Sequence, residues 1–305
     1  MKRCASDNGY YNTKIYSAGC RFAFRSKIEE TKDIMANSQD TFNIEYDGKR
    51  YTIGEGASKY TISYNKAGSL LHKLCTLTAL ARFTEESEIF KLVVGLPINL
   101  YSAQKEKFAE YIKTPDYVPI TYNGKRKYIH IKECIVFPQG AGALYANRPE
   151  NYKNRVVAVL DIGGLTVDGC IFNNLNLLTD SIFTVNLGTI ILYNKIRKEL
   201  NNLFSLNLQE YEIPYIIRDG LNINGKAKEI DSIIQGILRS HVDEIIQEMR
   251  KSNWPVESLR VIITGGGVLL LERPIKELIP NSIIGADPLY DNCIGFYNIA
   301  EMVYR

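Results

Sequence analysis

Two eight-residue stretches of the chain read alike: Asp7-Asn8-Gly9-Tyr10-Tyr11-Asn12-Thr13-Lys14 near the start, and Asp161-Ile162-Gly163-Gly164-Leu165-Thr166-Val167-Asp168 about halfway along. Each is Asp-x-Gly, a tight turn, then a polar residue leading into an outgoing apolar strand, Ile15-Tyr16 in the first and Cys170-Ile171-Phe172 in the second. One Asp-x-Gly is common turn chemistry. Two matched copies at the fronts of two halves point to a duplicated domain with a pseudo-twofold cleft. The 305 residues suffice for two domains with a core in each.

The intervening pattern is α/β. Apolar runs at 92–94, 156–160 and 261–263 are each followed at once by glycine or Asp-x-Gly, as expected of buried strands that deliver a turn to a site at their ends. Leu70, Leu71, Leu74, Leu77 and Ala81 repeat at helical spacing, as do Ile233, Ile234, Ile237, Val242, Ile245, Ile246 and Met249. A further helix is expected over 103–112. Asp47-Gly48 and Asn123-Gly124 each stand between a pair of short β-rich runs and read as hairpin turns.

Composition excludes several classes. Lys and Arg total 37 against 34 Asp and Glu, a net charge of +3, with no basic face or tail of the kind a dedicated nucleic-acid binder concentrates. Direct nucleic-acid binding is therefore not expected, and Lys125, Arg126 and Lys127 read as a solvated hairpin end. The six cysteines are scattered without a C-x-x-C pair, which suits reduced structural thiols in a cytosol. No segment approaches the roughly 18 uninterrupted apolar residues of a membrane span, so no membrane association and a cytoplasmic location are expected. With only three histidines, the chemistry should rest on carboxylates, amides and glycines.

A glycine turn lets the backbone approach a phosphate without a Cβ clash, and successive N–H groups form an anion-binding concavity. Asn12, Thr13 and Thr166 can add side-chain donors and Lys14 a point charge. Asp7 and Asp161 become useful neighbours of a triphosphate if a hydrated Mg2+ sits between them and the phosphate oxygens. Gln139, where an apolar strand meets the small-residue stretch Gly140-Ala141-Gly142-Ala143, can orient a water for in-line attack or simply begin a helix. Gly188 either allows a second close helix contact across the hinge or forms an ordinary strand-to-helix turn. Gly265-Gly266-Gly267 closes a buried strand and can lie flat against a purine or an α-phosphate. The tail 287–297 leads into a C-terminal helix that should return to the first domain.

The order of these five elements resembles the actin, sugar-kinase and heat-shock-chaperone ATPase superfamily, and within it the bacterial actin-like plasmid-segregation proteins of the ParM group. The closest motifs are Asp-x-Gly-Tyr-x-Asn-Thr-Lys at 7–14, Asp-x-Gly-Gly-x-Thr-x-Asp at 161–168 and Asn292-x-x-Gly295-Phe296-Tyr297. The resemblance implies an actin-like ATPase fold, with two RNase-H-like domains around a nucleotide cleft: residues 1–152 with 286–305, and 153–285. It further implies ATP or GTP with Mg2+ as cofactors, Asp7 and Asp161 as organisers of the metal, and catalysis by these two with Gln139. Gly9, Tyr10, Tyr11, Asn12, Thr13 and Lys14 would hold phosphate, as would Gly163, Gly164, Leu165, Thr166 and Asp168. Gly188 would lie close by, and Gly265, Gly266 and Gly267 would face the nucleoside. Glutamine at 139, where the family often has Glu, favours water orientation over general-base action, as in eukaryotic actin. The first strand departs from the pattern: Lys2-Arg3-Cys4-Ala5-Ser6 is more polar than expected, so the strand should be short or wet on its outer face.

The implied function is a polymerising NTPase that segregates plasmid DNA. Its partners would be further copies of itself in a filament and a small DNA-binding adaptor on a centromere-like plasmid site. A small-molecule kinase of the same superfamily, with Asp168 as its carboxylate, is the alternative, although 305 residues leave little chain for a sugar pocket. A chaperone-like regulatory module is a third reading, opposed by the absence of a peptide-binding domain.

Overall fold

The polar opening segment is a full strand, β1 (Lys2–Asn8), with Lys2 exposed and Arg3 half-buried at its start and the polar residues of its second half in the interior. Ser6, Asp7 and Asn8 are buried. Ser6 Oγ donates to Asn8 Oδ1 at 2.7 Å and Asn8 Nδ2 donates to Thr76 Oγ1 at 2.8 Å. The strand is therefore not short: Lys2 and Arg3 are its wet positions, and the polar residues that end it are buried. A polar side chain is stable inside when its hydrogen bonds are met there, and here they are met within the strand and by Thr76, remote in sequence.

The computed structural model describes residues 1–31, 40–60 and 65–304. After β1 come β2 (Asn12–Ser17), β3 (Cys20–Arg25), β4 (Ile28–Glu30), β5 (Thr41–Tyr46) and β6 (Lys49–Gly54). Then follow α1 (Leu70–Arg82), β7 (Ser87–Leu96), α2 (Ile98–Ile112), β8 (Val118–Tyr122), β9 (Lys125–Pro138) and the short α3 (Ala141–Ala146). The second half runs β10 (Val156–Ile162), β11 (Val167–Asn173), β12 (Asn176–Val185), α4 (Thr189–Phe204), α5 (Ile213–Asp219), β13 (Leu221–Ile223) and β14 (Lys226–Lys228). It ends with α6 (Asp231–Lys251), β15 (Val261–Thr264), α7 (Val268–Leu278) and β16 (Ser282–Ile284), before the C-terminal α8 (Asp291–Val303). The chain divides into one unit of Met1–Asn151 with Gly285–Arg305 and another of Tyr152–Ile284.

Within each unit the sheet repeats one plan. Among the described residues, the first sheet runs β3-β2-β1-β7-β9 and continues through β8-β5-β6-β4, while the second runs β12-β11-β10-β15-β16. In both, a three-strand antiparallel meander leads into strands parallel to the first: β1, β7 and β9 in one, and β10, β15 and β16 in the other. The duplication read from two short motifs thus extends over five strands of each sheet.

Side-chain alternation sets the two faces of the first sheet. Cys4, Leu92 and Val94 join Leu71, Leu74, Leu77 and Leu80 of α1 in one apolar cluster. The residues between them, Ala5 and Val93, join Phe296, Ile299, Ala300 and Tyr304 of α8 in another. In the second unit Ala158, Leu160 and Ile162 of β10 pack with Ile234, Leu238, Val242, Ile245 and Met249, a helical-period stripe on α6. Helix α2 starts at Ile98, before the expected 103, because Pro97 stands at its N-cap and Ile98 and Leu100 are buried.

One basic residue departs from the solvated hairpin end. Lys125 and Arg126 are exposed, but Lys127 is buried and its Nζ donates to the carbonyls of Ala81 at 2.8 Å and Thr84 at 2.5 Å. The ammonium thereby bonds one carbonyl in the last turn of α1 and one just beyond its end, where the helix no longer supplies amide donors. All six cysteines are free, and burial pushes the thiols of Cys4, Cys75 and Cys134 up to about 12, which keeps them unreactive.

Candidate functional site

The turn between β1 and β2 is tight because Gly9 faces the Asn12 carbonyl: a Cβ there would lie 2.8 Å from that oxygen. Three carbonyls of this turn are held from behind. Lys66 Nζ donates to Asn8 O, Ser26 Oγ donates to Gly9 O at 2.8 Å, and the Ser26 amide donates to Tyr11 O at 3.0 Å. In a trans peptide the N–H points opposite to the C=O, so pinning these carbonyls turns the amides of Gly9, Tyr10 and Asn12 to the other side. That is the arrangement an anion requires.

The turn between β10 and β11 reaches the same state by another route. The Gly163 amide donates to Thr166 O at 2.9 Å, closing the turn. The first amides of α4 and its N-cap then hold the loop: Gly188 N donates to Leu165 O at 3.1 Å, Thr189 N to Gly163 O at 3.1 Å and Ile190 N to Gly164 O at 3.0 Å. A Cβ on Gly188 would fall 2.5 Å from Gly164 C and O and from Leu165 C, so only glycine permits this approach. Gly188 stands at the strand-to-helix junction between β12 and α4, and its close approach is to the turn of its own unit.

Asp7 is cross-strand to Lys14, and Lys14 Nζ lies 3.2 Å from Asp7 Oδ2. The side-chain nitrogen of Gln139, which follows β9, donates to Asp7 Oδ1. The corresponding pair in the second unit is Asp161 opposite Asp168, two carboxylates where the first unit has an acid and a base. Like charges directly opposite cost stability; Asp168 is partly compensated by Thr166 Oγ1 at 2.8 Å and Thr184 Oγ1 at 2.6 Å, which both donate to it. Gly265 stands against this pair: its φ is +91°, and a Cβ on it would run into Asp161 Oδ1 and Ile162 O. The Gly267 amide donates to Ile162 O at 2.9 Å.

The structure thus gathers Asp7, Gly9, Tyr10, Tyr11, Asn12, Thr13, Lys14 and Gln139 in one unit. It gathers Asp161, Gly163, Gly164, Leu165, Thr166, Asp168, Gly188, Gly265, Gly266 and Gly267 in the other. Some side chains are turned away from the role foreseen for them. Thr13 Oγ1 is buried against Ser26 Oγ at 2.9 Å, and the Thr166 hydroxyl is given to Asp168. The Tyr11 ring lies under the Arg25 guanidinium, 3.4 Å from centroid to carbon, and the Tyr10 ring under Lys66 Nζ at 4.3 Å. These residues hold the turn, and its main chain carries the donors. Ser26, Lys66 and Thr184 belong to no motif and were not found from sequence. For Thr13 a signal existed: in a strand it shares the buried face of Ile15.

Two histidines lie behind these turns. His72 is buried with its ring edge-on to Tyr10, and burial, reinforced by Lys66, pushes its pKa well below 6.5. His241 is also lowered, by burial and then by Lys195. Each takes up a proton more readily unfolded than folded, so its contribution to stability is full above 6.5 and is lost as the pH falls below it. We expect the urea midpoint to drop on acidification, each histidine contributing up to about 1.4 kcal/mol per pH unit. A denaturation series shows this as a pH slope that is smaller in His72→Gln; an equal slope would remove His72 from the account.

The fold and these two glycine turns define an actin-like fold with a sheet-containing domain in each half. A model of the N-terminal domain of actin-like proteins matches residues 5–142, and one of the C-terminal domain of archaeal MreB-like actin homologues matches residues 159–277. The chain belongs to the actin-like ATPase family. Among solved structures, the archaeal actin homologue Ta0583 is 18% identical over 99% of each chain with a TM-score of 0.87, and it has also been solved in complex with ADP. The Alp12 filament structure is 24% identical over 100% of each chain with a TM-score of 0.77. A ParM from Clostridium botulinum, solved as a 15-stranded filament, is 20% identical over 99% of each chain with a TM-score of 0.76. No curated protein matches the sequence. Among the described residues, no helix is long and apolar enough to cross a membrane.

Proposed function

We propose that the chain is a Mg2+-dependent ATPase or GTPase that polymerises when nucleotide binds and segregates plasmid DNA through a small adaptor protein on a centromere-like site. The observation that carries this reading is the duplicated turn with its carbonyls pinned behind and its amides forward, an anion-binding arrangement present once in each unit. The ADP complex of the archaeal homologue and the filaments of Alp12 and ParM support it. The near-neutral net charge of +3 suits a protein that reaches DNA through an adaptor.

The donor set fits the metal. Mg2+ keeps several waters and takes one or two carboxylates with phosphate oxygens, and here the carboxylates of Asp7 and Asp161 each close a strand beside a glycine turn. Gly265 leaves the space at Asp161 that a Cβ would fill. When bound, the cation neutralises charge on the β and γ oxygens.

Gln139 positions water and does not take its proton, since an amide has little basicity. Its nitrogen end is given to Asp7, which leaves the oxygen to accept a hydrogen bond from the attacking water. Asp168 accepts from two threonines, an environment that disfavours its use as the base of a small-molecule kinase. In Gln139→Ala we expect single-turnover phosphate release to fall at least about tenfold, with nucleotide affinity little changed and filaments that outlast those of wild type. Unaltered release would remove Gln139 from the mechanism.

Sedimentation with Mg2+ and ATP or GTP tests the assembly. We expect the chain to pellet with triphosphate and to disperse on chelation. Monomers that persist at roughly tens of micromolar while hydrolysing nucleotide would overturn the polymerisation reading.

A further inference from the structure

Among the groups that the proposed hydrolysis leaves unused, one set lies directly behind the second turn. His241 on α6 is buried, and its Nε2 lies 2.9 Å from the carbonyl of Leu187. A carbonyl only accepts, so Nε2 carries the proton. The other ring nitrogen, Nδ1, is 3.2 Å from Lys195 Nζ on α4, and an ammonium only donates, so Nδ1 is bare. Both contacts are met by one form of the ring, the neutral Nε2–H tautomer. Lys195 is itself held by both carboxylate oxygens of Glu244 at 2.7 Å, one turn along α6 from the histidine. Lys195 and Glu244 are the charged groups that face His241.

Leu187 is where this chain of contacts meets the turn. The next residues, Gly188, Thr189 and Ile190, supply the amides that pin Leu165, Gly163 and Gly164. We propose that Lys195 and His241 act as a positioning couple: by holding the Leu187 carbonyl they set the N-terminal edge of α4, and through it the forward orientation of the amides in the second turn. The role rests on the reading of that turn as a phosphate loop, but the hold on the loop is measurable without nucleotide.

Protonating His241 places a hydrogen on Nδ1, facing the Lys195 ammonium. The contact with Lys195 then becomes repulsive, the ring leaves its fixed orientation, and the hold on Leu187 weakens. Burial and Lys195 both oppose this protonation, so the couple is intact at neutral pH and fails on acidification.

The test uses the full chain, with hydrogen exchange at the amides of 188–190 corrected for intrinsic rates and titration with Mg-ATP and Mg-GTP. In His241→Leu we expect exchange at 188–190 to speed up and affinity for the preferred nucleotide to fall, each about tenfold, the scale of one buried hydrogen bond. His241→Gln, whose amide nitrogen can reach the Leu187 carbonyl, should restore both to within about threefold and lose the wild-type sensitivity that sets in as the pH falls below 6.5. Exchange at 188–190 that is the same in His241→Leu as in wild type overturns the proposal, and so does a wild-type pH response that survives in His241→Gln. Wild type that binds neither nucleotide while the exchange results hold would overturn the phosphate reading and leave the couple's hold on the loop supported.

Discussion

Asp161→Ala is expected to lose Mg2+-dependent turnover by about 10²–10³-fold, the scale seen when a group that stabilises transition-state charge is removed. Stability should move little. Asp161 stands opposite Asp168 across the strand pair, so the substitution relieves a like-charge contact, and the unfolding free energy should stay within about 1 kcal/mol of wild type. Measuring phosphate release and urea unfolding on the same preparation separates the two effects. Turnover equal to wild type would remove Asp161 from the metal role.

The largest effect on stability is expected at Gly295. Helices α3 and α8 meet where Gly142 and Gly295 face each other: a Cβ on Gly295 would overlap the Gly142 carbonyl, and one on Gly142 would lie 2.5 Å from Asn292 O. The obstructing atoms are backbone and cannot swing aside. Gly295→Ala must therefore force the helices apart, at about 1–3 kcal/mol or more. The loss extends to the site, because Asn292 Oδ1 on α8 accepts from the amides of Gly140 at 3.0 Å and Ala143 at 3.3 Å, next to Gln139. A lowered urea midpoint accompanied by slower phosphate release is the expected result. A midpoint equal to wild type would mean that the two backbones are not in contact in solution.

What could be read from the sequence was local or periodic. The two Asp-x-Gly turns are short strings, and the stripe from Ile234 to Met249 recurs every three or four residues, so each declares itself within a window. Buried polar groups do not. Nothing local shows that Ser6 is buried on Asn8, because Asn8 is in turn held by Thr76, 68 residues away. Lys66 lies 58 residues from the carbonyl it holds, and Lys127 lies 46 from Ala81. A lysine destined for the interior carries no local mark that separates it from one bound for solvent. The same holds for Thr189 and Ile190, whose contribution to the second turn is made by amides that any residue except proline would bring.

The carbonyls pinned behind each turn also bear on how freely such a chain can vary. A recognition surface built from main-chain groups leaves little trace in the alphabet of side chains. Exchange at a position such as Leu165 keeps the amide and the pinned carbonyl, whereas Gly188 and Gly265 have no substitute that fits the space they occupy. Spelling can then drift while shape is retained, and chains that share 18% of their residues with a TM-score of 0.87 are the outcome such drift produces.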